Sequence, residues 1–313
     1  MTGGPGAVLV LGEALVDLVP VAGDGGVRAA QFGGAPANVA VGLATLGTPV
    51  SFAGGLGGDG FARTIEERLR AAGVATTLCA RSGLPTALAV AEPGEGGTDY
   101  HFHLQDTATF ELPDLSARAG EFGAVYVGGL AAVVEPAASA VRATAAAAAE
   151  NSLLFVDPNV RRDRTLGADD GAAALRELCR LAQVVKASDE DLERLWPGAD
   201  PEETCRSLAD GGRLVILTRG AGGSTAYTAT APPVSVPATP VEVVNTIGAG
   251  DAFAAGLLSR MGAHGSFTAV PEPDEVRDML SYAAETAASV CARAGTEPSV
   301  PAGVREGRRA QAR

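Results

Sequence analysis

A three-layer α/β/α fold with a mostly parallel central sheet is predicted by three features of the chain. From Ala124 onward, short apolar runs alternate with Ala-rich or amphipathic stretches of helical length, the rhythm of repeated βαβ units. Apolar residues make up 46% of the chain, with few aromatics and 41 glycines, which suits strands and helices joined by tight turns rather than disorder. No internal repeat or linker splits the pattern, so residues 1–304 are expected to form one domain, followed by a frayed tail over 305–313.

The elements follow in order. Ala7 to Leu11 reads as a buried strand, and residues 12–19 continue as a second extended piece. A Gly/Asp turn from Gly23 to Gly26 leads to the glycine pair Gly33-Gly34. A helix then carries Val39, Leu43 and Leu46 on one face and closes at Gly47. Pro49 to Ala53 is a short strand, and Phe61, Ile65 and Leu69 mark a helix ending at Gly73. Residues 86–92 and 100–104, joined by a Gly-rich turn, form a β-hairpin polar enough to lie outside the main sheet. Strands at 124–128, 153–156, 183–186 and 213–218 then alternate with helices at 136–149, 171–182, 189–195 and 201–209. A hairpin at 223–236 precedes the apolar run Val241 to Val244, which reads as the end of a buried strand. A helix containing Phe253, Leu257 and Met261, and a final helix over 274–293, complete the chain.

Several function classes are excluded. Net charge is −13 and basic residues cluster only briefly, as at Arg308-Arg309, so a nucleic-acid partner is not expected. No apolar run approaches the roughly 18 to 20 residues of a membrane span. No Lys or Arg precedes Arg28, and Glu13 and Asp17 interrupt the first apolar run, which argues against a signal peptide. Cys79, Cys179, Cys205 and Cys291 are scattered without C-x-x-C spacing, as buried thiols of a cytoplasmic protein would be. Lys186 is the only lysine, which suggests a position that resists arginine.

The chemistry concentrates at Asn245-Thr246-Ile247-Gly248-Ala249-Gly250-Asp251. Glycines let backbone amides approach a ligand, and the start of a helix favours an anion there. Asp251 enters the first helical turn beside that anion. An anion hole next to a carboxylate suits phosphoryl transfer, although an Asp in this place is often only a helix cap. A second glycine turn, Gly33-Gly34-Ala35-Pro36-Ala37-Asn38, reads as a floor for a polyol, with Asn38 offering both a donor and an acceptor. Asp17 could accept two sugar hydroxyls or be a solvated strand end. Gly55-Leu56-Gly57-Gly58-Asp59-Gly60 satisfies G-x-G-x-x-G, and Arg81 beyond it could hint at NADP. A lone match outside the first βα unit is weak, however, and no P-loop is present.

Taken together, Gly33-Gly34 through Gly47 and Asn245 through Asp251 resemble the two signature motifs of the ribokinase-like (PfkB) carbohydrate kinases, in the same order and separation. Gly57-Gly58-Asp59-Gly60-Phe61, Asp157-Pro158-Asn159-Val160-Arg161 and Leu217-Thr218-Arg219-Gly220 add to the resemblance, which is strongest to bacterial fructokinases. It implies an ATP-dependent sugar kinase, most simply one making fructose 6-phosphate, with 2-keto-3-deoxygluconate kinase, another sugar kinase or a non-catalytic binding protein as rivals. Asp251 would be the general base, and the amides of Gly248, Ala249 and Gly250 would hold the transferring phosphoryl. Asp17, Gly33, Gly34, Asn38, His103 and Arg161 would face the sugar. Lys186, Ser188, Thr218, Gly220, Gly223 and Ala283 would line the ATP site, with Mg²⁺ carried between phosphates and Asp191 acting on it indirectly. Segments 15–32 and 84–110 would form a small β-lid, through which relatives form homodimers.

Three departures stand out. Asn245 replaces the usual Asp that helps form a monovalent-cation site, which counts against K⁺ dependence. Asp191 is one methylene shorter than the usual Glu. In the lid, Leu104 stands where related subgroups carry an arginine, which counts against an acidic sugar.

Overall fold

The computed structural model describes residues 3–21, 24–94, 97–160, 168–265, 267, 271–293 and 295–299. The chain opens with β1 (Gly4–Leu11), β2 (Leu15–Val21) and β3 (Asp24–Gly33), followed by α1 (Ala35–Thr45), β4 (Val50–Ala53) and β5 (Gly55–Leu56). Next come α2 (Gly60–Ala71), β6 (Ala80–Arg81), β7 (Leu88–Gly94) and β8 (Gly97–His103). The alternating part runs through β9 (Phe122–Gly128), α3 (Ala137–Asn151), β10 (Leu153–Asp157), α4 (Ala168–Leu181), β11 (Val184–Ser188), α5 (Asp189–Leu195), α6 (Pro201–Ala209) and β12 (Leu214–Thr218). It closes with β13 (Ser224–Tyr227), β14 (Val234–Val236), α7 (Ala249–His264) and α8 (Pro273–Cys291).

The main sheet has eight strands in the order β14-β13-β12-β11-β10-β9-β1-β4. Its strands pair in parallel from β4 across to β12, and only β13 and β14 run antiparallel. The sheet is buried on both faces. Val8, Val10, Phe52, Tyr126 and Phe155 pack with α1, α2, α7 and α8, while the alternate residues Leu9, Leu11, Val127, Leu154 and Val185 pack with α3 to α6. This is the predicted three-layer arrangement.

A separate four-stranded sheet, β3-β2-β7-β8, corresponds to the segments expected outside the main sheet. All of β3 but its last residue falls within the expected lid segment 15–32, although its Arg28-Ala29-Ala30-Gln31 stretch has no apolar alternation of its own. The reading of Val241 to Val244 as a buried strand is corrected. These residues belong to no strand, and Val243 and Val244 are each 61% exposed. Instead of a ladder partner, the amides of Val244 and Asn245 donate to the carbonyl of Cys291 at the end of α8.

Chain order reverses between β1 and β9, so the sheet has a topological switch point there, and a crevice opens at the carboxyl ends of its strands. Glu13 spans it. This residue is 2% exposed, and its carboxylate accepts from the amides of Leu130 (3.2 Å) and Ala131 (3.0 Å). Asp157, Lys186 and Thr218 occupy the same edge on β10, β11 and β12. No described helix is long and apolar enough to cross a membrane.

Candidate active site

The first glycine turn is shaped by close backbone approach. Gly34 has a φ of +97°, and a Cβ there would lie 2.5 Å from the carbonyl oxygen of Glu13, so both conformation and space require glycine. At Gly33 the constraint is a side chain instead: a Cβ would lie 2.1 Å from Oδ2 of Asp17. Pairing of β2 with β3 sets Leu15 opposite Gly33, which brings the half-buried Asp17 carboxylate over the turn. Pro36 sits in the first turn of α1, where its missing N–H costs no helix bond. Two residues on, Asn38 leaves the helix half-buried.

The second turn starts α7. Gly248 is the N-cap in the left-handed conformation, φ +79°. The amide of Ala249 donates to the carbonyl of Thr246 (3.2 Å), which takes one of the three expected amides out of the anion hole. Gly248 and Gly250 keep the amides that helix geometry leaves without an intrahelical acceptor. Asp251 is 7% exposed. Its Oδ2 accepts from Nδ2 of Asn38 at 2.9 Å, a contact spanning 213 positions that joins the two glycine turns.

Lys186 lies beneath the second turn. Its Nζ would stand 3.3 Å from a Cβ at Gly250, and it pairs with Oδ2 of Asp157 at 2.9 Å. Both side chains are buried. Burial disfavours the charge on Lys186, but Asp157, Asp191 and Asp251 outweigh it and keep the amine protonated. For Asp157, burial pushes the carboxyl up against the pull of Lys186, and its Oδ1 has no hydrogen-bond partner among the described residues.

Other expected residues are placed differently. His103 is exposed at the end of β8. Cross-strand register aligns Asp17 with Ala89 and Phe102, whereas His103 aligns with Leu88 and Val16, on the opposite face. His103 therefore cannot share a sugar with Asp17 from one side of that sheet. Ala283 is fully buried and packs against Gly256 of α7, so it offers no surface to a nucleotide. Of the neighbouring residues, Glu285 is exposed and Ala287 half-buried. Gly220 (φ +51°) and Gly223 (φ +82°) form the turn between β12 and β13, with Gly220 exposed and Gly223 buried. Thr218 is half-buried at the end of β12. Arg161 lies outside the described residues.

Ser188 and Asp191 form a capping box at the start of α5. Oδ2 of Asp191 accepts from Ser188 N and Oγ, and its Oδ1 accepts from Val160 N at 2.8 Å. Both carboxylate oxygens are thus engaged by protein. Among the described residues no group of three or more His, Cys, Asp or Glu side chains could hold a metal. Asp59, within the G-x-G-x-x-G match, caps α2 and accepts from Thr86 N and Oγ1, while Arg81 pairs with Glu66. Both residues of the dinucleotide reading are therefore committed to structure. The four cysteines are free thiols, and burial pushes Cys179 and Cys205 up to about 12.

Sequence reasoning missed Glu13, although an acid directly after an apolar strand was a visible signal. It also missed Arg68 and Thr296, which reach this site from distant segments and carry no local signature.

Two glycine turns meeting on one buried carboxylate, with a cation behind the anion-binding turn, define the site of a phosphoryl-transfer enzyme. The sequence profile of the pfkB carbohydrate kinases matches residues 6–303. A fructokinase of Rhizobium leguminosarum bv. trifolii is 32% identical over 265 residues, covering 81% of this chain and 79% of that protein. The crystal structure of a fructokinase with bound ATP from Xylella fastidiosa superposes with a TM-score of 0.84 at 28% identity, covering 99% of this chain and all of the other. A Vibrio cholerae O395 fructokinase in a fructose-, ADP- and calcium-bound form gives a TM-score of 0.81 at 27% identity, over 96% and 98% of the two chains. The chain belongs to the pfkB family of carbohydrate kinases.

Proposed function

We propose that the protein transfers the γ-phosphoryl group of ATP to the 6-hydroxyl of fructose. The observation that carries this reading is the 2.9 Å hydrogen bond between Asn38 and Asp251, which joins the two glycine turns. Similarity to fructokinases supports fructose. So does Leu104, which packs, as Tyr100 and Phe102 do, against the core and supplies no cation for an acidic sugar.

In this reading Asp17, above Gly33, accepts sugar hydroxyls and Asn38 binds a neighbouring one. Asp251 takes the proton of the attacking hydroxyl as the bond to phosphorus forms. The Gly248 and Gly250 amides stabilise charge on the transferring group, and Lys186 adds a buried positive charge behind them. Most of the rate comes from alignment and electrostatics, because the protein forms no bond to phosphorus itself. ATP lies toward Thr218 and the turn at Gly220. The donor set suits a metal that arrives on the phosphates and keeps its water, as Mg²⁺ does, rather than one caged by side chains. Such an ion would neutralise charge on the β- and γ-phosphates. Asn245 supplies no carboxylate for a K⁺ site, and its Oδ1 already accepts from the amide of Ile247 (3.0 Å).

The test is ADP release from MgATP with fructose, 2-keto-3-deoxygluconate, ribose, glucose and a nucleoside as acceptors. Fructose-dependent turnover is expected, and Asp251→Asn should lower kcat by about 10²- to 10⁴-fold with little change in either KM. Near-wild-type turnover in that variant would remove Asp251 as the base.

A further inference from the structure

Asn38 can donate to Asp251 only if its amide is turned the right way, and the other end of that amide is held from outside both glycine turns. Its Oδ1 accepts from Oγ1 of Thr296 at 3.3 Å, in the segment after α8. Thr296 Oγ1 in turn accepts from Nη2 of Arg68 at 3.0 Å. Two further donors of Arg68 go to the carbonyl of Phe32 (Nη1, 2.9 Å), next to the Gly33-Gly34 turn, and to Oε1 of Glu297 (Nε, 3.1 Å). Thr296 also packs on the second turn, since a Cβ at Gly248 would lie 2.9 Å from the Cβ of Thr296.

The direction of this chain is fixed by chemistry. Arginine has donors and no acceptor, so Thr296 Oγ1 must accept from it. The hydroxyl proton of Thr296 points to Oδ1 of Asn38, an oxygen that can only accept, so the NH₂ of the amide lies on its other side. That leaves the NH₂ of Asn38 facing Asp251, whose carboxylate only accepts when ionised. Every hydrogen bond from α2 to the base therefore points one way, towards the charged form of Asp251.

We propose that Arg68 and Thr296 are positioning residues that orient Asn38 through this one-way relay, and so hold Asp251 ionised and aligned for proton removal. The inference rests on the kinase reading with Asp251 as base. Other charged groups whose fields reach Asp251 include Lys186 on β11 and Asp157 on β10. Neither depends on the relay, and both stay in place when it is cut.

The test compares wild type, Thr296→Val, Thr296→Ser and Arg68→Met. Thr296→Val keeps the shape against Gly248 but removes the hydroxyl, so Asn38 loses the donor that holds its carbonyl oxygen away from the base. The acid limb of the pH profile of kcat/KM for fructose should move up by about one pH unit, the size of one hydrogen bond to a charged group. Arg68→Met should move it in the same direction, and Thr296→Ser should restore the wild-type limb. The second measurement is ¹³C NMR titration of the aspartate carboxyls, with the Asp251 signal identified by its loss in Asp251→Asn. Its midpoint should rise by a similar amount in Thr296→Val. Superimposable limbs and midpoints for wild type and Thr296→Val would overturn the relay, as would a Thr296→Ser variant shifted as far as the valine. Absence of turnover with every acceptor in the wild type would instead overturn the kinase reading, while the carboxyl titration still decides the relay.

Discussion

Replacing Gly33 with alanine probes a single contact of the proposed sugar floor. Gly33 lies outside the left-handed region, so the backbone accepts a side chain. The obstacle is the methyl group itself, which would sit 2.1 Å from Oδ2 and 2.8 Å from Cγ of Asp17. Carbon and oxygen cannot approach so closely, and the carboxylate, at the far end of its side chain, must retreat by about 1 Å. A displacement of that size in a substrate-positioning group costs on the order of 10²-fold, or about 2.7 kcal/mol of transition-state binding. Stability should change by less than about 1 kcal/mol, because a half-buried side chain moves and no core packing is lost. The assay is kcat/KM for fructose, with KM for ATP and the melting temperature measured in parallel. The expected result is a sugar-specific loss with the other two unchanged. Asp17→Ala should lose at least as much, and the double variant should be no worse than Asp17→Ala alone, as required for two residues acting through one contact. Wild-type fructose kinetics in Gly33→Ala would refute the assignment of Asp17 as a sugar acceptor.

Two further predictions concern buried and paired charge. Lys186→Met should destabilise the fold by about 3–5 kcal/mol in urea titration, because it strands Asp157 without its cation. Adding Asp157→Asn should recover part of that loss; no recovery would show that the packing of Lys186, not its charge, was at stake. Glu66 is held down to about 2, first by its hydrogen bonds from Arg81 and further by Thr76 and Arg70. Because its folded value lies below its ordinary one, its contribution is complete above about 4.5 and disappears as pH falls through about 2. Urea midpoints measured from pH 7 to 2 should therefore fall less steeply in Glu66→Gln than in wild type, and parallel curves would exclude this linkage.

What could be read from the sequence was set by how local each cause is. The limits of α5 (189–195) and α6 (201–209) match their reading because Ser188 and Asp200 cap them from the adjacent position. Both glycine turns could be located for the same reason: a positive φ at Gly34 and Gly248 is written into one residue. The valines at 241–244 misled because β-propensity says nothing about whether a neighbouring strand exists to pair with. His103 misled because the face of a lid residue depends on register across three strands. Asp191 was identified by its place in a motif, yet its oxygens are taken by Ser188 and Val160, a contact that only the fold reveals. Arg68 and Thr296 lie 228 positions apart, and nothing near either one in the chain announces the other.

The solitary lysine has a practical consequence. With Lys186 only 5% exposed, the chain offers a single ε-amine to amine-directed reagents, and that amine is covered by the turn at Gly250. Acylation at this site requires the cover to lift. Its rate therefore measures the free energy of local opening at the phosphoryl-transfer turn, without introducing any reporter group. Slower labelling in the presence of nucleotide or sugar would give the degree to which each ligand stiffens that part of the molecule, resolved to one position. Few enzymes of this size permit such an experiment on the natural chain, because ordinary surfaces carry many competing lysines.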